Sequence, residues 1–221
     1  MVGDHIKLYK PPKLKVVGSS TFWGQPMGKE PGWLIVISAP SGCGKTTIVE
    51  RLLDRNKDWK RSISYTTRSP RAGEVHGRDY FFISQQEFES KKKARFFLES
   101  AEVFGHSYGT SKQFVLDEVV RGSCVILAID VQGMKQLVAE KRRDIPIVSV
   151  FIMPPSLEEL RTRLEKRRTE TKTAVRGRLR VAEQEIAARG LYDIQVVNQK
   201  IDQAVDEIER KIKWQCRSKN F

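Results

Sequence analysis

Four short apolar runs punctuate the chain: Leu34 to Ser38, Cys124 to Asp130, Ile147 to Ile152 and Ile194 to Val197. Continuous apolar runs of this length read as strands buried on both faces. Between them the period changes to that of a helix. Thr47, Ile48, Leu52 and Leu53 follow the first run at helical spacing, and Ile201, Ala204, Val205, Ile208 and Ile212 mark the apolar face of a last helix that packs on the sheet. Ser84-Gln-Gln-Glu87 and Ser156-Leu-Glu-Glu159 are capping boxes, in which hydroxyl and carboxylate satisfy each other's backbone donors, and they predict two further helix starts. Strand-like runs alternating with helical patterns predict an α/β fold of three α/β/α layers, its mostly parallel sheet covered by helices on both faces.

One stretch departs from that alternation. Ser62 to Thr110 carries short strand patterns near Tyr80 to Ile83 and Arg95 to Leu98 and reads as a lobe inserted between the first two main strands. Residues 1 to 31 are basic and rich in Pro and Gly, without a sustained period, and read as a loosely ordered extension.

At 221 residues the chain suits one cored domain with inserted lobes. No apolar stretch approaches the roughly 20 residues needed to span a bilayer, so no membrane association is expected. Cys43, Cys124 and Cys216 are odd in number and far apart, which suggests neither a disulfide framework nor a zinc cluster. With no signal-peptide pattern at Met1 to Lys10, a cytoplasmic protein is expected. The net charge of +13 calls for a polyanionic partner. A nucleic-acid surface is one explanation; a pocket that collects two phosphorylated nucleotides is the other. No basic stretch alternates with aromatics as in a single-strand-binding surface, so specific nucleic-acid binding is not expected.

The chemistry starts at Ala39-Pro40-Ser41-Gly42-Cys43-Gly44-Lys45-Thr46-Thr47, which follows a strand pattern and opens a helical one. A Walker A loop frames four free positions between two glycines ahead of Lys and Ser or Thr, because backbone N–H groups must point inward at phosphate oxygens. Gly44, Lys45 and Thr46 fit; Ala39 replaces the first glycine, which requires a negative φ there. The helix N-terminus then aims its dipole at the anion. An ordinary Gly/Ser turn is the weaker alternative in this strand, loop and helix context.

A second anion-binding composition lies in Ser64-Tyr-Thr-Thr-Arg68-Ser-Pro-Arg71, where Pro70 bends the chain and two guanidinium forks match phosphate oxygens. By itself it favours an exposed basic loop over a binding site, about two to one. Arg161 to Arg180 is dense in arginine, with Arg163, Arg167, Arg168, Arg176 and Arg178, and on composition a solvated helical face would look the same.

The loop, S-x-T-T-R-x-P-R, then Gly77-Arg-Asp-Tyr80, Phe97-Leu-Glu99, Tyr108-Gly-Thr110, Ile129-Asp130-Val-Gln-Gly133 and the arginine-rich segment occur in one order from about residue 33 to 213. In that order they resemble guanylate kinase. The resemblance implies a guanylate-kinase-like domain over 32–215, with a GMP-binding lobe at about 63–111 and a lid at about 161–184. It implies ATP and GMP as substrates, phosphoryl transfer to GMP and dGMP within purine metabolism, and Mg²⁺ with the ATP. The state expected is a monomer or small homo-oligomer.

By motif position, the resemblance assigns the guanine to Ser64, Glu99, Thr110 and Asp130, and the GMP phosphate to Arg68, Arg71, Tyr80 and Tyr108. Residues 39–47 would bind the ATP phosphates, with Lys45 on the outer ones and Thr46 on the metal. Arg167 and Arg178 would close over the moving phosphoryl group. Asn198 matches a position near the adenine, though a helix cap fits it equally well. Elementary chemistry supports Glu99: guanine offers N1–H and a 2-amino group as donors, whereas adenine presents an acceptor at N1. Without the motif order, Glu99 would read as a surface carboxylate and both tyrosines as packing.

This chain departs from the family pattern at Ala39, at Ser100, where an aromatic is common, and at Ala128, where a carboxylate is usual near the metal. A non-catalytic module that grips a phosphorylated peptide with the same arginines and tyrosines is the competing class. The intact Gly44, Lys45 and Thr46 favour an enzyme.

Overall fold

The structure, a computed structural model, describes residues 31–140, 145–166 and 172–218. Its main sheet has five strands in the order β2 (Lys60–Arg61), β7 (Val125–Ala128), β1 (Leu34–Ser38), β8 (Ile147–Met153) and β9 (Ile194–Val197). Each neighbouring pair is parallel, with Leu34 in register between Val125 and Ile147. Side chains alternate across a strand, so β1 is divided between two cores. Ile35 and Ile37 join Ile48 and Leu52 of α1 (Lys45–Arg55), Leu160 and Leu164 of α5 (Leu157–Glu165), Leu179 of α6 (Lys172–Ala187) and Ile208 of α7 (Ile201–Ser218). Leu34 and Val36 face the other way, onto Val115 of α3 (Lys112–Val120) and Met134 and Leu137 of α4 (Val131–Ala139). Burial on both faces explains why the three inner strands β1, β7 and β8 are apolar nearly throughout, whereas the edge strand β9 alternates buried and exposed positions.

A second sheet of four strands forms the lobe, in the order β4 (Phe81–Phe82), β3 (Tyr65–Thr66), β6 (His106–Ser111) and β5 (Phe97–Val103). Its interior is aromatic. Phe88 of α2 (Gln85–Lys93) stacks on Phe97 at 4.6 Å between ring centroids, and Tyr65 stacks on Phe81 at 4.7 Å. A Cβ at Gly109 would sit 2.8 Å from the Phe97 ring, so only glycine lets that ring lie against β6.

The structure adjusts several expected elements. The run expected over Cys124 to Asp130 pairs only through Ala128, because Asp130 turns out of the sheet to cap α4, accepting from the Gly133 N–H at 2.9 Å. The strand expected over Arg95 to Leu98 starts at Phe97 and continues to Val103, since Arg95 takes a left-handed φ of 53° as α2 ends. Strand β6 has no counterpart in the sequence reading: His106-Ser-Tyr-Gly-Thr-Ser111 lacks apolar alternation. Both capping serines accept the N–H three residues on, Glu87 from Ser84 and Glu159 from Ser156, each at 3.1 Å. Among the described residues no helix is long and apolar enough to cross a membrane. The extension over residues 1 to 30 and Arg167 and Arg168 of the arginine-rich segment lie outside the described residues.

Phe88 is 1 % exposed and supplies the inner wall of the lobe. Phe88→Ala is expected to destabilise the protein by about 3–5 kcal/mol through lost transfer energy and the cavity left behind. Denaturant unfolding of the purified variant checks this; a loss below about 1 kcal/mol would place the lobe's stability elsewhere.

Candidate active site

The turn from β1 into α1 is built by two glycines with positive φ, Gly42 at 92° and Gly44 at 83°. Gly44 is also the N-cap of α1, and no side chain accepts from the first turn. The first amides of α1 are therefore left to an anion rather than to a cap. Ala39 is not among the residues with positive φ, and its methyl is buried in the core beneath the loop. The replacement of the first glycine thus costs no backbone strain. Cys43 lies fully inside, where burial pushes its thiol up to about 12, so it packs and does not react.

Asn198 fixes this loop from below. It is buried, its Nδ2 donates to the Cys43 carbonyl at 2.9 Å, and a Cβ at Gly44 would come within 2.7 Å of that nitrogen. Its own carbonyl accepts from Arg163 Nη2 at 3.1 Å. The helix-cap alternative for Asn198 does not hold, because α7 begins three residues later, at Ile201. Arg163 sits at the end of α5 and is thereby committed to the loop's support, not to a solvated face.

Lys45 leads α1, and its ammonium donates to the Ile129 carbonyl at 2.9 Å, at the C-terminal edge of the sheet. Burial lowers its pKa, while the carboxylates of Asp130, Glu185 and Glu99 pull in the opposite direction. Thr46, next along, is exposed. Among the described residues no three His, Cys, Asp or Glu groups gather in a way that could hold a metal ion.

Across the cleft, Glu99 of β5 and Thr110 of β6 are both buried, and the Thr110 hydroxyl donates to Glu99 Oε1 at 2.6 Å. Gly133 leaves room for the other oxygen, since a Cβ there would meet Glu99 Oε2 at 2.5 Å. Burial drives the Glu99 pKa up to about 7, against the lowering effect of the Thr110 bond. Glu185 of α6 is raised to about 7 by the same desolvation, partly offset by Lys45. Asp130 caps α4 with one oxygen and takes Gln132 Nε2 at 3.3 Å on the other.

The expected phosphate cluster is partly assembled. Tyr80 and Tyr108 meet edge to face at 6.0 Å, and the Arg68 guanidinium lies 5.5 Å from the Tyr80 ring centre. Burial raises the Tyr80 pKa, which keeps its hydroxyl protonated. Ser64 is half-buried beside β3, and Arg71 is exposed. Glu74 holds both arginines: Oε1 is 2.9 Å from Arg68 Nη2 and Oε2 accepts from the Arg71 N–H at 2.7 Å. The Arg68 bond, foremost, keeps the Glu74 carboxyl below its usual value. From α6, Arg178 Nη1 donates to Ser41 Oγ in the glycine loop at 2.8 Å.

Glu74 and Glu185 went unmarked in the sequence. Glu74 had a discoverable signal, a lone carboxylate three residues past an Arg-x-Pro-Arg turn; Glu185 had none, because its neighbours belong to three distant segments.

The guanylate kinase family model matches residues 32–215. A guanylate kinase of Wolbachia sp. subsp. Brugia malayi is 46% identical over 177 residues, covering 80% of this chain and 90% of that protein. One from Caldanaerobacter subterraneus subsp. tengcongensis is 46% identical over 180 residues, covering 81% and 86%. Among solved structures, guanylate kinase from Anaplasma phagocytophilum superposes with a TM-score of 0.70 at 35% identity, over 85% of this chain and 87% of that one.

The raised carboxyls carry a pH signature. Glu99 keeps its proton in the folded chain up to about pH 7, whereas the unfolded chain releases it near 4.5. The folded state therefore binds more protons between those limits, and its stability falls as pH rises through that window. Glu99→Gln removes the titrating group and is expected to flatten this decline in denaturant midpoints at pH 5, 6 and 7. An unchanged slope would show that Glu99 ionises freely in the folded protein.

Proposed function

The chain belongs to the guanylate kinase family, and we propose on that footing that it transfers the γ-phosphoryl group of ATP directly to GMP and dGMP, yielding ADP and GDP or dGDP. The observation that carries this reading is geometric: Lys45 of the glycine loop donates to the Ile129 carbonyl, and Gly133, four residues on, packs against the Glu99 carboxyl of the lobe, so loop lysine and lobe carboxyl flank one short segment. A donor phosphate site and a purine-reading group that share one cleft fit transfer between two nucleotides.

In this reading the ATP phosphates lie along the amides of Ser41 to Thr46, with Lys45 leaving the Ile129 carbonyl for the β- and γ-oxygens. Asn198 acts beneath the loop, holding the Cys43 carbonyl away from the anion. The guanine N1–H and 2-amino group donate to an ionised Glu99, with Thr110, Ser64 and Asp130 around it. GMP binding then expels the Glu99 proton. The GMP phosphate takes the place of the Glu74 carboxylate on Arg68 and is met by Arg71, Tyr80 and Tyr108. No covalent nucleophile is required, because the protein's work is to hold two anions in line and cancel the charge that develops between them. Arg178, already at Ser41 beside the glycine loop, stabilises the oxygens of the moving group.

The exposed Thr46 hydroxyl would hold a Mg²⁺ that accompanies ATP, with no carboxylate at Ala128 to assist, and the ion would supply positive charge to the donor phosphates.

ADP formation with GMP, dGMP, AMP, CMP and UMP as acceptors tests the proposal. GMP and dGMP are expected to exceed AMP by about 10⁴ in kcat/KM, as a site of buried hydrogen-bonding groups penalises a base that leaves them unpaired. Glu99→Gln should reduce GMP use and leave the KM for ATP within about twofold, and Lys45→Ala should abolish turnover. Comparable rates with AMP would remove the guanine assignment; binding of a phosphopeptide without ATP turnover would replace the enzyme with a recognition module.

A further inference from the structure

The turn between β5 and β6 is two residues long: Val103 pairs with His106, and Phe104 and Gly105 between them have φ of 50° and 78°. Positive φ at both central positions is the hairpin geometry that selects Asn-Gly or Gly-Gly, because a side chain with a branched or aromatic body is strained there. The chain nevertheless places phenylalanine at the first position and leaves it 56% exposed. Neither the hairpin nor the lobe core gains from that choice. What the ring does touch is Arg178 of α6, whose guanidinium carbon lies 5.1 Å from the ring centre. The same guanidinium reaches Ser41 with Nη1.

The tip is itself anchored. Gln132, two residues after Asp130, donates Nε2 to the Glu102 carbonyl at 2.9 Å, tying the end of β5 to the start of α4. Farther down, Gln136 clamps Ser100 by accepting its N–H at 3.0 Å and donating back to its carbonyl. The Phe104 ring is thus a platform held by the core through α4, not a loose loop tip. A guanidinium stacks on an aromatic face while keeping its edge free for hydrogen bonds, so the contact orients Arg178 without consuming its donors.

We propose that Phe104 is a positioning residue for phosphoryl transfer: the hairpin tip receives the flat face of Arg178 and turns its donors toward the phosphates at the glycine loop. Strain kept at one residue where the rest of the turn gains nothing is the mark of a functional constraint. The arrangement links the acceptor lobe to the arginine of the opposite helix, so that Arg178 is aligned only when β5 and β6 lie over the cleft. The inference rests on the reading of Arg178 as the arginine that serves the moving phosphoryl group.

Steady-state kinetics of the full chain with ATP and GMP test it. Phe104→Ala is expected to lower kcat about 5-fold, the size of an exposed cation–π contact, with both KM values within about twofold. Phe104→Tyr and Phe104→Trp should keep kcat, whereas Phe104→Leu, apolar but without a π face, should behave like alanine. Phe104→Gly relieves the backbone and should raise the thermal midpoint while lowering kcat as far as alanine does, a combination that a purely structural role does not produce. In an Arg178→Ala background, Phe104→Ala should cost nothing more. If Arg178→Ala is damaging but Phe104→Ala is silent, or if the two losses multiply, the platform is overturned and the Arg178 reading survives. If Arg178→Ala itself leaves kcat intact, both fall together.

Discussion

The demand that backbone amides, not side chains, face an anion shapes most of this molecule. To present the first turn of α1 without a cap, the chain must pass through two left-handed residues, and only Gly42 and Gly44 do so cheaply. A loop of that kind has little side-chain packing of its own and must be braced from outside. The bracing comes from two segments, Asn198 on the Cys43 carbonyl and Leu160 and Leu164 of α5 against Gly42, and the loop's own Cys43 side chain anchors it in the core. The parallel sheet then follows as a consequence, because it brings the carboxyl ends of β1, β7, β8 and β9 to one edge, where all of these residues emerge.

Around that loop several ionisable groups are held away from their ordinary behaviour. Lys45, half-buried, leans on a main-chain carbonyl, while burial raises the Glu99 and Glu185 carboxyls to about 7. Arg68 is occupied by Glu74. Ionisable groups pushed this far from their ordinary values and gathered at one edge of the sheet mark a functional site more readily than a structural one.

Where burial follows from periodicity, the sequence is readable. The main strands and the face of α7 follow from runs of Ile, Leu and Val, and β9 falls on Ile194–Val197 as its apolar run predicts. The glycine loop is readable because its backbone geometry needs particular residues. Strand β6 is not, because His106 to Ser111 carries Tyr108 against Tyr80 and Thr110 on the Glu99 carboxyl, and such a polar segment has no hydrophobic period to detect. The same applies to Asn198, whose polar side chain next to a helix suggests a cap but whose amide is committed to a loop far away in sequence. Motif order gathers Glu99, Thr110, Tyr80, Tyr108 and Arg68; their burial, and the protonation it enforces, is a property of the folded cleft alone.

Ala128 shows how the chain's departures fit this logic. At the end of β7 it is half-buried and packs against the core cluster shared with α1, so its methyl contributes apolar contact where a carboxylate is usual in the family. A carboxylate in that contact would lie against apolar side chains, and such burial disfavours its charged form. With alanine, the carboxyl groups that act on Lys45 sit on three separate elements: the cap of α4, strand β5 and helix α6. Carboxyls distributed in this way answer to the relative placement of lobe, core and α6, whereas a cluster fixed on one strand would take its surroundings from that strand alone.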